Sequence, residues 1–421
     1  MLARIEGDPR PADAVANEYF RARRFIGSGD RRAVSERVWC VLRAWRRLAW
    51  WLARAGAEPT PRLMVAASLL VEGMTATAFA QLFSGGRFAA APLSGGEVAS
   101  LRRIAGHTVD HPDMPEAVRL EIPDWLLPLL KARFGAGLAA EMAAMAEPAP
   151  LDLRVNLLKT TREAAQAALA AEGIEAVATP LSPWGLRVAG RRPVTSGAAF
   201  RGGLVEIQDE GSQLIGLLAD ARPGARVADL CAGAAGKSLA MAMTMANAGH
   251  ILACDVSAAR LESAVRRLRR AGVHNVERHV LGPGDKALKR RAGSFDRVVV
   301  DAPCTGIGTW RRNPDARRRL APADLAELVP KQAAILDRAA ELVRNGGKLI
   351  YATCSLLPEE NEAQVSGFLA RHPHFSVVPL AQAWPDGAAP VGGEFLMLTP
   401  ARHRTDGFFA AVLERRAGSG S

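Results

Sequence analysis

The sequence predicts an α/β fold: a mixed, mostly parallel sheet wound with helices, preceded by a small α/β module and an all-helical N-terminal region. Three observations carry this. From about residue 221, apolar strand-like runs alternate with helical or glycine-rich stretches at regular spacing, the rhythm of a parallel sheet covered on both faces. Residues 12–145 are rich in Ala, Leu, Arg and Trp and carry no convincing strand. Between the two, residues 154–180 read strand, helix, strand, and GLRVAG (185–190) adds a further strand.

The N-terminal region centres on SERVWCVLRAWRRLAWWLARAG (35–56). Its spacing is helical, with Val38, Leu42, Trp45 and Leu48 on one face and Arg43, Arg46, Arg47 and Arg54 mostly off it. Those arginines read either as a solvated face or as a phosphate-contacting surface. Cys40 is expected to fill core on this helix. LMVAASLLVEGMTATAFAQLF (63–83) contains Glu72 and Gly73, so it reads as a buried helix or helical hairpin and not as a membrane span. Pro148 and Pro150 mark a linker.

In RVNLLKTTREAAQAALAAEGIEAVATP (154–180), Thr160 and Glu163 fit a capping box and Gly173 fits the helix end. IQDEGSQLIGLLAD (207–220) begins a new helix. The main strands are RVADL (226–230), HILAC (250–254), VERHV (276–280), DRVVV (296–300) and KLIYA (348–352). In VSAARLESAVRRLRRAG (256–272), Ser257 caps, Leu261, Ala264, Val265 and Leu268 share a face, and Gly272 stops the helix. FSVVP (375–379), EFLML (394–398) and GFFAAVL (407–413) add strands, some antiparallel. The expected domains are 1–145, 146–215 and 216–421.

Composition narrows the function classes. The 421 residues are 49% hydrophobic, which excludes a disordered chain, and Lys plus Arg (54) exceed Asp plus Glu (43) for a net charge of +11. Such a charge suggests an anionic partner, nucleic acid first and an anionic membrane surface second. MLARIEGDPRPADA has acids and no apolar core, so no signal peptide is expected. Cys40, Cys231, Cys254, Cys304 and Cys354 are odd in number and widely spaced. That usage fits a reducing cytoplasm and not a disulfide framework. There is no CxxC or HExxH, and His372 and His374 flank a proline ahead of a strand, so they read as loop and no metal is expected. The sequence says nothing of oligomeric state, and a monomer is the default.

Ligands of such a sheet sit outside the carboxyl ends of its strands. There Asp229 precedes the glycine-rich turn LCAGAAGKS, Asp255 ends the second strand, Asp301 the fourth, and Cys354 follows the fifth. A glycine-rich first turn admits a ligand close to backbone, and an acid ending strand two accepts from ribose hydroxyls. The pair suggests an adenosine-type cofactor. A Walker A loop fails at its first glycine, which is Cys231 here. VVVDAPCTGIGTWRRNPD (298–315) sets Cys304 just past strand four. Strands four and five are neighbours roughly 5 Å apart in a doubly wound sheet, so Cys304 and Cys354 should converge. Two thiols in one crevice are a nucleophile and its helper, a metal pair or a redox pair. Metal-ligand spacing and CxxC are missing, which leaves nucleophilic catalysis.

These motifs resemble the RsmB/Sun family of RNA 5-methylcytosine methyltransferases. DLCAGAAGK, DAPCTGIGTWRRNPD and YATCSLLPEENE carry the resemblance, with LRVNLLKT, IQDEGSQL and DGFFAAVL in support, in family order over about 150–415. DRRAVSERVWCVLRAWRRL (30–48) more weakly resembles the NusB-like helical domain of RsmB-type members. The resemblance implies a Rossmann-like class I methyltransferase domain that uses S-adenosylmethionine and acts on RNA, ribosomal RNA by analogy. It implies Cys354 as nucleophile, Cys304 as the group aiding product release, and Asp301 and Lys237 beside the base. The cofactor loop would be Cys231, Ala232, Gly233, Ala234, Ala235, Gly236 and Lys237, with Ala234 standing for the family's proline and Ala235 for one of its glycines. Asp255, Asp285 and Asp301 match the cofactor-contacting acids, although the GPG before Asp285 is unusual. Arg154, Asn156, Arg311 and Arg312 are the implied RNA contacts, and Arg317, Arg318 and Arg319 extend the last group. Arg266, Arg267, Arg269 and Arg270 read as a solvated helix face. Glu359 and Glu360 complement a helix dipole and receive no catalytic role. A non-catalytic RNA-binding assembly factor with a relic cofactor fold is the alternative.

Overall fold

The structure, a computed structural model, describes residues 1–417 apart from 88, 191, 283 and 386. Pro283, the middle of the GPG run, therefore lies outside the described residues. The chain forms two compact units, Met1–Glu147 with Trp310–Leu320, and Pro148–Thr309 with Ala321–Ser421.

The first unit is helical. The arginine-rich stretch forms two helices, Ser28–Arg43 and Trp45–Arg54, because the backbone turns out of helical geometry at Ala44. Val38, Leu42, Trp45 and Leu48 are buried. Cys40 is exposed, contrary to its expected core role, since it sits on the helix between the apolar positions 38 and 42 and points off their face. Residues 63–83 fall into the helices Pro61–Val71 and Ala76–Leu82. Arg46 and Arg47 do not face solvent phosphates; they pair with Asp124, Asp110 and Glu121.

Trp310–Leu320 comes from the segment after Cys304 yet packs within this unit. Arg317 is buried, lies 5.0 Å from the Trp310 ring centroid and donates to the Met145 carbonyl at 2.8 Å. Arg318 stacks 3.4 Å over Trp45. Arg311 is buried and its carbonyl accepts from Arg43 at 3.3 Å, while Arg312 is half-buried. The phosphate-facing role expected of this run is corrected for Arg311 and Arg317: an arginine buried in protein cannot meet a backbone phosphate.

The second unit holds two sheets. In the small one β1 (Leu151–Val155), β2 (Ala176–Ala178), β3 (Gly185–Val188) and β4 (Val205–Ile207) are antiparallel in the order β2-β3-β1-β4. Leu153 and Val155 enter its core with Leu186 and Val188. The alternate residues point to the opposite face, where Asp152 takes a two-pronged bond from Arg187 at 2.7 and 2.9 Å. The helix between β1 and β2 is Arg162–Ala171, capped by Thr161 and not by Thr160.

The large sheet contains β5 (Arg226–Leu230), β6 (His250–Asp255), β7 (Val276–Val280), β8 (Phe295–Asp301), β9 (Val343–Thr353), β10 (Phe375–Val378), β11 (Leu396–Leu398) and β12 (Phe408–Arg415). Its order is β10-β12-β9-β8-β5-β6-β7, with β11 on β12. β5 to β9 pair in parallel and β12 runs antiparallel to its neighbours. The central strands are apolar on both faces because helices cover both: Val298, Val299 and Val300 are all buried. Strand order reverses between β5 and β8, which opens a crevice at their carboxyl ends. The helix Glu210–Leu218 packs on the large sheet through Leu214, Ile215 and Leu218, so the boundary expected at 215/216 falls inside an element. No helix among the described residues is long and apolar enough to cross a membrane.

Candidate active site

The crevice between β5 and β8 opens into a cavity of about 890 Å³. Its wall is built from strand ends. β5 delivers Asp229 and Leu230, the turn 231–237 follows, β6 ends in Asp255, β8 in Asp301, and Cys304 and Cys354 close the far side. The Cys304 and Cys354 sulfurs are 3.3 Å apart. Parallel pairing of β8 with β9 sets Asp301 opposite Ala352, and this register brings the two loops together.

Bonds on every side fix the loops. Gly308 N–H donates to the Cys354 carbonyl at 2.9 Å, and Gly407 N–H to the Gly308 carbonyl at 2.8 Å. A Cβ on Gly308 would run into the Gly407 backbone oxygen, so only glycine admits this crossing. Beneath both loops sits Glu360, fully buried. Its Oε1 accepts from Thr305 N–H at 2.8 Å and from Gln332 Nε2 at 2.9 Å, and its Oε2 from the hydroxyls of Thr305 and Ser355. One carboxyl thus ties the residue after Cys304 to the residue after Cys354. PEENE does not simply open a helix: Pro358–Glu360 is a 3₁₀ turn and the helix starts at Glu362. Glu360 points inward, away from the expected dipole role.

The charges are ordered. Lys237 is buried and donates to Asp301 at 2.5 Å. Burial alone would pull its ammonium down, but Asp301, Asp229 and the Cys354 sulfur outweigh that, and the net shift is upward. Lys237 therefore stays cationic among these groups. The Cys304 thiol is pushed well up, first by its hydrogen bond to Cys354, then by burial and the charges of Cys354 and Glu360. Burial pushes Cys231 up to about 12, so it remains a thiol in the wall.

The wall also fits a nucleoside-type cofactor. Asp229 is completely buried and raised to about 7, chiefly by burial. Its Oδ2 accepts from Ser238 at 2.5 Å, whereas Oδ1 has no partner among the described residues. Asp255 accepts from Gly233 N–H and Ser257 N–H, each at 2.8 Å. These bonds fix the carboxylate and leave it further lone pairs. Val256 beside it is 78% exposed, an apolar surface at the cavity lip. The turn itself is left-handed at Cys231 (φ 65°) and Ala235 (φ 61°).

Not all the expected residues join the site. Ala235 is buried behind the turn, while Cys231, Ala232, Gly233, Ala234, Gly236 and Lys237 line the cavity. Asp285 is not in the wall. It caps the helix Lys286–Lys289 and bonds His279 at 2.6 Å, which takes it down to about 2, mainly through its backbone bond to Leu288. Arg154 and Asn156 are buried and bond protein: Arg154 donates to the Gly236 carbonyl at 3.1 Å, and Asn156 to those of Gly203 and Ala271 at 2.9 and 2.8 Å. They join the small sheet to the large one and are not available to RNA. Gln208, Ser212, Lys331 and Arg338 also line the cavity. Gln208 and Ser212 belong to the IQDEGSQL motif, whereas no motif marks Lys331 and Arg338, which only the fold brings here.

Comparison with known proteins places the chain. The family model described as 16S rRNA methyltransferase RsmB/F matches residues 217–414, and an RsmF/B-like ferredoxin-like domain matches 122–195. The chain is 34% identical over 322 residues to the ribosomal RNA small subunit methyltransferase B of Thermus thermophilus, covering 75% of this chain and 70% of that one. It is 36% identical over 297 residues to the enzyme of the same name from Sodalis glossinidius, covering 69% of this chain and 65% of the relative, just under two thirds of its length. Among solved structures, the chain called PH0851 superposes with a TM-score of 0.80 at 27% identity, covering 98% of this chain and 96% of that one.

Proposed function

We propose, on the premise that this chain belongs to the RsmB/F family of rRNA methyltransferases, that it methylates carbon 5 of cytosine in ribosomal RNA through a covalent Cys354–cytosine intermediate. The observation that carries this reading is the 3.3 Å approach of two thiols in the wall of a cavity that also presents Asp229, Asp255 and the 231–237 turn. S-adenosylmethionine, held by those last groups, would supply an electrophilic methyl group.

The residues then divide the work. Carbon 5 of cytosine is a poor nucleophile. Addition of the Cys354 thiolate to carbon 6 makes a sulfur–carbon bond and moves the ring's electron pair toward carbon 5. Lys237, buried in the same wall, supplies a positive charge beside the reacting groups. On this reading Asp301, bonded by Lys237, meets the exocyclic amine and ring nitrogen of the base. Once carbon 5 carries both hydrogen and methyl, the hydrogen leaves as a proton. The carbon–hydrogen pair forms the carbon 5–carbon 6 double bond and restores aromaticity, and the sulfur–carbon pair leaves with the Cys354 sulfur. Cys304 takes that proton as a thiolate, after its own thiol proton has passed to solvent. Two of the groups that raise it, the Cys354 hydrogen bond and charge, vanish when Cys354 becomes a thioether. The base must leave its stack to reach the thiol, at a cost of a few kcal/mol.

The test is incubation with isotope-labelled methyl donor and small-subunit rRNA, followed by digestion to nucleosides. Label in 5-methylcytidine is expected, with none from Cys354→Ala. Label in another nucleoside, or full activity in Cys354→Ala, would refute the scheme. RNA binding without transfer would favour an assembly factor.

A further inference from the structure

The helix Ala258–Ala271 starts at the cavity, where Ser257 caps it beside Asp255, and ends against the small sheet. Its arginines divide by face. Arg267 and Arg270 turn inward and pair with Glu206 at 3.5 and 2.5 Å. Arg266 and Arg269, three apart and therefore neighbours on one face, are exposed and make no ion pair among the described residues. With Arg201, Thr195 and Phe200 from the small module they line a cavity of about 380 Å³, whose floor is Arg270 stacked 3.9 Å over the Phe200 ring. The seam is rigid. Lys159 Nζ donates to the carbonyls of Arg270 and Gly202 at 2.7 and 2.9 Å, closing the helix end onto the module.

We propose that this arginine pocket is a second RNA contact that holds backbone phosphates away from the reacting base; it rests on the reading of RNA as substrate. Glu206 offsets charge only on the inner face, so Arg201, Arg266 and Arg269 present positive charge that no acid among the described residues balances. Arg266 and Arg269 lie about 12–17 Å along the helix from its start at the cavity, by the rise of 1.5 Å per residue. An RNA strand with one base in the cavity can lay neighbouring phosphates there. The pocket is open and built on two joined elements, which suits a polyanion tracked along a surface.

The test is the triple variant R201Q/R266Q/R269Q in the full chain, assayed for methyl transfer and for RNA binding across a salt series. The KM for rRNA should rise on the order of tenfold. The slope of log affinity against log salt should fall by about 2, at about 0.7–0.9 for each phosphate no longer neutralised. Affinity for S-adenosylmethionine should be retained, which reports an intact fold. An rRNA KM within twofold of wild type and an unchanged salt slope, with methyl transfer intact, would overturn the pocket alone. Wild-type protein that transfers nothing to RNA would overturn the function and the pocket with it.

Discussion

At the scale of single residues, Glu360 carries the positioning of both thiols. Its carboxyl receives donors from the Cys304 loop, the Cys354 loop and Gln332. Glu360→Ala would leave those donors buried and unpaired, at about 1–3 kcal/mol each, and should cost most of kcat while sparing S-adenosylmethionine binding. Glu360→Gln keeps one acceptor and should restore part of the rate. It also removes a charge that raises Cys304, so any limb of the pH–rate profile set by Cys304 should move to lower pH. An unmoved profile would make Glu360 merely structural. Asp229 gives a second pH signature. Its carboxyl is raised from 3.8 to about 7, mainly by burial. A raised carboxyl favours the folded state below its unfolded value, and that contribution fades as pH climbs toward the folded value. Between about pH 4 and 7 wild type should therefore lose stability relative to Asp229→Asn, on the order of 1 kcal/mol per pH unit, and the gap should level off above about pH 8. Denaturant melts across that range measure it.

At the scale of elements, the 231–237 turn links backbone to chemistry. Ala235 is left-handed at φ 61° and caps the helix Gly236–Thr244 without a side-chain bond. A left-handed conformation costs a residue with a Cβ roughly 1–2 kcal/mol, so Ala235→Gly should raise stability by up to about 1 kcal/mol after the added freedom of the unfolded chain. A lower melting temperature in that variant would contradict the turn. This element also marks how far the sequence could be read. The central strands were legible because runs such as Val298–Val300 are apolar on every residue, and Ser257 and Gly272 act within one helix. The two thiols were legible because adjacent parallel strands leave them few other places. Glu360 was not, since PEENE reads locally as a helix start and its partners Thr305 and Gln332 lie 55 and 28 residues away. Arg154 and Arg317 mislead in the same way: arginine suggests a phosphate, yet the fold turns these side chains toward carbonyls and an indole ring.

At the scale of the whole molecule, the chain crosses from one unit to the other and back. The segment after the Cys304 loop, Trp310–Leu320, belongs to the helical unit. There burial takes Arg317 down to about 10, with Glu121 opposing the shift. Arg317→Ala should destabilise that unit by about 2–4 kcal/mol through lost packing and an emptied site. Arg317→Met should recover much of this, because replacing a buried charge with an apolar side chain is often neutral. Two-step denaturant unfolding with only the helical transition shifted is the expected record. The active-site account itself is tested most directly by trapping. Cys304→Ala, given methyl donor and rRNA, should accumulate an RNA–protein adduct that survives denaturing electrophoresis and vanishes when Cys354 is also changed to Ala. An adduct that persists in the double variant, or none in Cys304→Ala with transfer at the wild-type rate, would contradict the pairing of the two thiols.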